Sequence, residues 1–178
     1  MNNLLQGVSV YLIGMMGAGK TTVGRQLAKD LNYRFIDTDQ TIEAIAKQPI
    51  AEIFASQGEA YFRNLETQVL KELSVYTRSV ISTGGGIITK QINWSYLHDG
   101  LVVWLDVDLE ILKMRLSHDK TRPLANKLES LLEARNSLYA QADIRITLNS
   151  NLPPAKVSAE IIKAIPGVLK SQTIVPNS

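Results

Sequence analysis

Apolar and polar positions along this chain alternate between two patterns. Short, mostly apolar runs at Val8–Ile13, Arg34–Asp37, Ser79–Ser82, Leu101–Leu105 and Ile144–Leu148 predict β-strands. Between them, apolar residues recur at three- and four-residue spacing. That periodicity predicts helices over Lys20–Leu31, Gln40–Ala46, Ala51–Ala55, Glu59–Val75, Trp94–His98, Leu109–Leu116, Lys127–Gln141 and Lys156–Ile165. In the first of these helices Val23, Leu27 and Leu31 form the stripe. Strands separated by helices need crossover connections, and right-handed crossovers cover both faces of a parallel sheet. The expected fold class is therefore α/β, a three-layer sandwich around a central five-stranded parallel sheet. No repeat, low-complexity block or linker interrupts the pattern. One domain over residues 1–165 is expected, followed from Pro166 by a flexible tail over 166–178.

Composition narrows the function classes. A chain of 178 residues can bury a sizeable single core, and 45% hydrophobic with 20% charged residues is ordinary for a globular protein. The net charge is +2, and no run of Lys and Arg is interleaved with aromatics, so no nucleic-acid partner is expected. The absence of cysteine excludes disulfides and thiolate metal sites. His98 and His118 are far apart in sequence and read as surface residues. No apolar run approaches the roughly 18 residues of a membrane span. Met1–Gln6 lacks the basic segment and apolar core of a leader. The expectation is no membrane association and a cytoplasmic location.

Gly14-Met15-Met16-Gly17-Ala18-Gly19-Lys20-Thr21 changes the picture most. It leaves the first strand and enters the first helix, where a phosphate-binding P-loop must sit. Glycines let successive backbone N–H groups turn toward phosphate oxygens, and the helix adds the positive end of its dipole. Lys20 supplies a charge for the β- and γ-phosphates, and Thr21 a hydroxyl for Mg²⁺. A plain glycine-rich turn is the alternative. The flanking strand and helix favour nucleotide binding.

Ligands of parallel α/β sheets collect at the carboxyl ends of strands. The second strand ends in Asp37-Thr38-Asp39, whose two carboxylates share one side of an extended segment. Asp39 could serve an accepting hydroxyl, or it could only cap a helix beginning at Gln40. The third strand ends in Ser82, within reach of a metal-bound water, and runs into Thr83-Gly84-Gly85-Gly86. These glycines either let a ligand lie against backbone amides or form a simple tight turn. Arg63 and Glu66, three apart on one helix, read equally as a surface pair or as part of an anion site. Leu128, Leu132, Arg135 and Tyr139 share an inward stripe, so Arg135 needs an anionic partner, internal or from a ligand. The polar, basic segment Ser117–Ala125 is either a solvated loop or a lid bringing Arg115 and Arg122 to phosphate.

Together these residues resemble the shikimate kinases, small P-loop kinases of the nucleoside-monophosphate-kinase type. The likeness runs from about Val8 to Pro153. Its specific parts are the P-loop, Asp37–Asp39, Gly58-Glu-x-x-Phe-Arg63, Gly84–Gly86, Thr121-Arg-Pro-Leu124 and Arg135-x-x-Leu-Tyr139. The resemblance implies a P-loop kinase fold with a mobile lid near residues 117–125. It implies transfer of the γ-phosphate of ATP to the 3-hydroxyl of shikimate, within aromatic amino acid biosynthesis, by a monomer. Shikimate would be held by Asp39, Arg63, Glu66, Gly84, Gly85, Gly86 and Arg135, with Glu66 steadying the arginine. Lys20, Asp39 and Arg122 would be catalytic. Nucleotide would contact Gly14, Met15, Met16, Gly17, Ala18, Gly19, Lys20, Thr21, Thr22, Arg115, Arg122, Asn151 and Pro153. Thr21, and Asp37 through water, would hold Mg²⁺. One departure stands out: the segment Thr147–Pro153, where an adenine-binding loop is expected, carries no charge. Two other readings are a related small-molecule kinase, such as a gluconate kinase, and an inactive kinase-like binding module. Asp37–Asp39 and the glycine triplet argue against the first, and the presence of Lys20, Asp39 and Arg122 against the second.

Overall fold

A computed structural model describes residues 4–117 and 127–172. The elements run β1 (Val10–Ile13), α1 (Lys20–Leu31), β2 (Arg34–Asp37), α2 (Thr38–Ala46), α3 (Ile50–Ser74), β3 (Ser79–Ser82), a 3-10 turn (Ile87–Thr89), α4 (Gln91–Leu97), β4 (Leu101–Val107), α5 (Leu109–Leu116), α6 (Leu128–Tyr139), β5 (Ile144–Leu148) and α7 (Pro154–Gln172). The five strands are all parallel, in the order β2-β3-β1-β4-β5. The expected α/β architecture is borne out.

Every residue of β1 is buried, which explains its continuous apolar run: helices must cover it on both faces. On one side α1 packs against α7, and Val23 and Leu27 of the first helix and Val157 and Ile161 of the last are buried in the core. Side chains from β1, β3 and β4 join these in one core. Among the described residues, no helix is long and apolar enough to cross a membrane.

Several boundaries differ from the sequence expectation. The first strand starts at Val10 rather than Val8, which is 40% exposed. The helices expected at Ala51–Ala55 and Glu59–Val75 form one element, α3, broken at Gly58 by non-helical backbone (φ 82, ψ 171). Only glycine adopts that conformation readily, so the break is tied to this residue. α7 begins at Pro154, where a missing N–H costs nothing, and it runs past Pro166 to Gln172. A helical φ suits proline, and its lost hydrogen bond falls here on an exposed position. The expected tail is therefore helical to Gln172, and residues 173–178 lie outside the described part.

Candidate active site

The register of the sheet assembles the first cluster. Leu12 of β1 pairs with Ser82 of β3, and Ser82 pairs with Asp37 of β2, so three strands finish level. The Gly14–Gly19 loop crosses above these ends and delivers Thr21 on the first turn of α1. The Thr21 hydroxyl donates to Asp37 Oδ2 at 2.8 Å and lies 3.5 Å from Ser82 Oγ. Asp37 Oδ1 accepts the backbone N–H groups of Asp39 (3.0 Å) and Gln40 (3.3 Å). The helix cap is thus Asp37, with α2 starting at Thr38, and the capping alternative for Asp39 is removed. Among the described residues, no three His, Cys, Asp or Glu side chains form a metal cage. One carboxylate and two hydroxyls are hard oxygen donors, a set that fits Mg²⁺ retaining several waters.

Lys20 is buried, and its ammonium donates to the carbonyls of Gly14 and Met15, both at 2.8 Å. Gly19, with φ 90, lets the chain turn sharply into α1. The Met15 side chain turns down into the core and is 2% exposed, so only its backbone faces the loop.

Beside this cluster opens a cleft of about 570 Å³ that the P-loop shares with Asp39, Arg63, Glu66, Gly84, Gly85, Gly86 and Arg135. These sequence-predicted residues come together although they belong to separate elements. Arg63 donates to Glu66 Oε2 at 2.5 Å and to the exposed Glu59 at 3.1 Å. The pair is therefore an internal one. Glu66 is 0% exposed and lies close to Asp39 as well. Burial raises the Glu66 carboxyl above its ordinary value; Arg63 opposes the shift and the Asp39 charge adds to it. Burial disfavours the Arg63 charge, but Glu66 and Glu59 outweigh it and raise the guanidinium.

The Glu66 shift has a stability consequence. A carboxyl raised by folding contributes stability below its ordinary pKa of 4.5 and loses it as pH climbs through the folded value. Wild type should therefore lose stability relative to Glu66→Gln as pH rises above 4.5. Paired thermal melts across pH 4 to 8 check this, and parallel curves would contradict it.

The glycine triplet has a steric cause. A Cβ at Gly84 would stand 2.5 Å from Glu66 Oε1 and 3.0 Å from Asp39 Oδ1, and one at Gly86 would stand 2.3 Å from Arg63 Cζ. Side chains here would displace the charged groups of the site. Gly84 donates its N–H to Thr38 Oγ1 at 3.1 Å. Among the described residues the amides of Gly85 and Gly86 have no acceptor, which leaves two donors at the cleft. Arg135 is buried on the inward stripe, as its spacing predicts, and donates to the Gly85 carbonyl at 3.2 Å. Among the described residues it makes no ion pair, so its internal partner is a neutral carbonyl.

A second cleft, about 250 Å³, lies on the other side of the P-loop, lined by Leu148, Leu152, Pro154 and Val157. Its apolar walls suit the flat face of a base. Arg115 crosses its edge, donating to the Gly17 carbonyl at 2.9 Å and to Asn151 Oδ1 at 2.6 Å. The uncharged loop thus presents an amide oxygen to Arg115. Thr22 lines both clefts. Pro153 does not line this one: its carbonyl accepts the Lys156 and Val157 amides of α7, and Pro154 takes the wall position. Arg122, the Thr121–Leu124 motif and the expected lid lie outside the described residues, apart from Ser117 at its start.

Sequence reasoning missed Thr38, Glu43, Phe54 and Phe62. Phe54 and Phe62 form an apolar wall of the main cleft, with ring centroids 4.8 Å apart across the Gly58 break. Glu43 accepts the Ile50 N–H at 2.9 Å, which caps α3 from α2 in place of the Pro49 side chain. The Gly58 break was the available signal, since it set two aromatics on separate helices that could fold toward each other.

Comparison with known proteins bears on this geometry. The family model for shikimate kinase matches residues 16–166. Shikimate kinase of Trichormus variabilis is 54% identical over 97% of this chain and 99% of its own length. That of Rippkaea orientalis is 53% identical over 94% and 92%. Among solved structures, shikimate kinase from Acinetobacter baumannii in complex with shikimate superposes with a TM-score of 0.83 at 37% identity, covering 97% of this chain and 98% of that one. A gluconokinase from Sinorhizobium meliloti reaches a TM-score of 0.57 at 16% identity over 94% and 96%, a likeness of fold alone. With its phosphate loop, acidic strand end and arginine-lined cleft in one place, this chain belongs to the shikimate kinase family.

Proposed function

We propose that this chain transfers the γ-phosphate of ATP to the 3-hydroxyl of shikimate, with the described cleft as the place of transfer. The observation that carries the reading is the convergence of the P-loop, Asp39, Arg63, Arg135 and the glycine triplet on one cleft. Shikimate is a ring with one carboxylate and three hydroxyls. Two arginines, one on α3 and one on α6, can clamp the carboxylate by charge-assisted hydrogen bonds. Glu66 fixes the Arg63 guanidinium. The Gly85 and Gly86 amides offer further donors, and the Phe54–Phe62 wall suits the apolar face of the ring.

Asp39 stands at the start of α2, two residues beyond Asp37, the cap of that helix. Its carboxylate accepts the proton of the attacking hydroxyl as the oxygen bonds to phosphorus and the bond to the β-phosphate oxygen breaks. Lys20 and the loop amides stabilise the charge that builds on the phosphate oxygens. Mg²⁺, held by Thr21 and through water by Asp37 and Ser82, would neutralise charge on the β- and γ-phosphates. The adenine would lie in the second cleft against Arg115.

Arg63→Ala and Arg135→Ala should each weaken shikimate binding about 10- to 100-fold, the loss expected for one charge-assisted contact in a desolvated site, with ATP affinity within about twofold. They should differ in stability. Arg63→Ala strands the buried Glu66 and should lower the melting temperature clearly, whereas Arg135→Ala frees only a carbonyl. Calorimetric titration with each substrate, alongside thermal melts, measures both effects. For the function itself, ADP release coupled to a detection system should depend on shikimate and not occur with gluconate. Turnover with gluconate alone would refute the acceptor assignment.

A further inference from the structure

The Gly85 carbonyl accepts two donors from a single helix. The Tyr139 hydroxyl reaches it at 2.6 Å and Arg135 at 3.2 Å, and the two residues stand one turn apart on α6. Such a concentration of donors on one main-chain oxygen, between two glycines, calls for a reason.

The geometry of a peptide supplies one. The C=O of Gly85 and the N–H of Gly86 belong to the same plane and, in a trans peptide, point in opposite directions. Among the described residues no peptide is cis. Holding the carbonyl toward α6 therefore aims the Gly86 amide away from α6. With glycine on both sides, no Cβ resists rotation of that plane, so its orientation must be fixed from outside. The carbonyls of Gly84 and Gly86 are each held by the 3-10 turn, through the amides of Ile87 and Thr89. The middle plane depends on α6.

Tyr139 is placed to do this rigidly. It is 0% exposed, and its ring stacks on Trp104 of β4 at 5.7 Å with planes 20° apart. Arg145 lies over the Trp104 ring at 4.5 Å and is itself tied to Asp106 at 2.7 Å. The phenol is thus backed by a stack that reaches the protein surface. Burial pushes its pKa up to about 12, so the hydroxyl stays a donor at any working pH. Met15 Sδ lies 3.6 Å from the same hydroxyl, which links this anchor to the underside of the P-loop.

We propose that Tyr139 is a positioning residue of the acceptor site: its hydroxyl, with Arg135, locks the Gly85–Gly86 peptide plane so that the Gly86 amide is presented to shikimate. The proposal rests on the acceptor reading above. Arg135 can then turn its remaining donors to the ligand, because the carbonyl it shares is already held.

Tyr139→Phe tests this, since it keeps the ring, the stack and the volume and removes one oxygen. Shikimate affinity, measured by calorimetry, should fall about threefold to tenfold, the usual worth of one hydrogen bond, with affinity for an ATP analogue within about twofold. The Gly86 amide resonance, sharp in wild type, should broaden in the variant as the freed plane samples two orientations on the microsecond-to-millisecond scale. Unchanged shikimate affinity, or a loss shared equally by the nucleotide, would overturn the proposal. The Gly86 signal needs no ligand. A sharp Gly86 resonance in the variant would overturn the lock, whereas failure of wild type to bind shikimate would overturn only the acceptor assignment.

Discussion

Lys20→Met should retain the fold and lose at least about 10²- to 10³-fold in turnover, the range for removing one preorganised donor from a developing anion. The structure explains why the two effects separate. The lysine stem crosses a buried position where a methionine of similar length also fits, so packing survives. What disappears is an ammonium held by two carbonyls of the loop it serves, at 2.8 Å each. Those carbonyls belong to the buried Gly14 and Met15, outside the cleft lining, so losing their donor costs about 1–3 kcal/mol and should lower the melting temperature by several degrees without unfolding the domain. Turnover at saturating substrates and a thermal melt on one preparation decide the matter. Near-normal turnover would remove the loop from the chemistry.

Asp39→Asn should cost a comparable factor, on the order of 10² or more, for a different reason. Asparagine keeps the size of the side chain but is not a base, so the attacking hydroxyl loses its proton acceptor. Because Asp37 and not Asp39 caps α2, the substitution leaves the helix start intact. It also removes a negative charge next to the buried Glu66, whose raised carboxyl that charge helps to produce. Stability should therefore hold or rise slightly at neutral pH while turnover collapses. A variant that keeps wild-type turnover would leave the carboxylate with a binding role only.

The parallel sheet was legible because buried strands and amphipathic helices leave different periods in the sequence. The P-loop was legible because its chemistry dictates residue type and spacing together. Arg135 was found by the same logic, as a charge on an apolar stripe. Other features depend on distances that spacing does not encode. Whether Asp37 or Asp39 caps α2 turns on where the backbone leaves the extended conformation, a matter of one residue. The glycine triplet reads as a turn or a ligand cradle, yet the structure shows it making room for Glu66, Asp39 and Arg63 from other elements. Tyr139 looked like core, which it is; its hydrogen bond to Gly85 joins residues 54 positions apart. The 3-10 turn at Ile87–Thr89 is too short to show any period.

The strand order bears on how the protein reaches its working state. β1 and β2 are neighbours along the chain but not in the sheet, because β3 lies between them. β1 and β2 flank a gap that only a later stretch of chain, β3 ending at Ser82, fills. A refolding chain that has formed β1, α1 and β2 alone has the phosphate loop in sequence but no level row of strand ends beneath it. Nucleotide affinity is then a property of the completed sheet, and its recovery during refolding marks the insertion of β3.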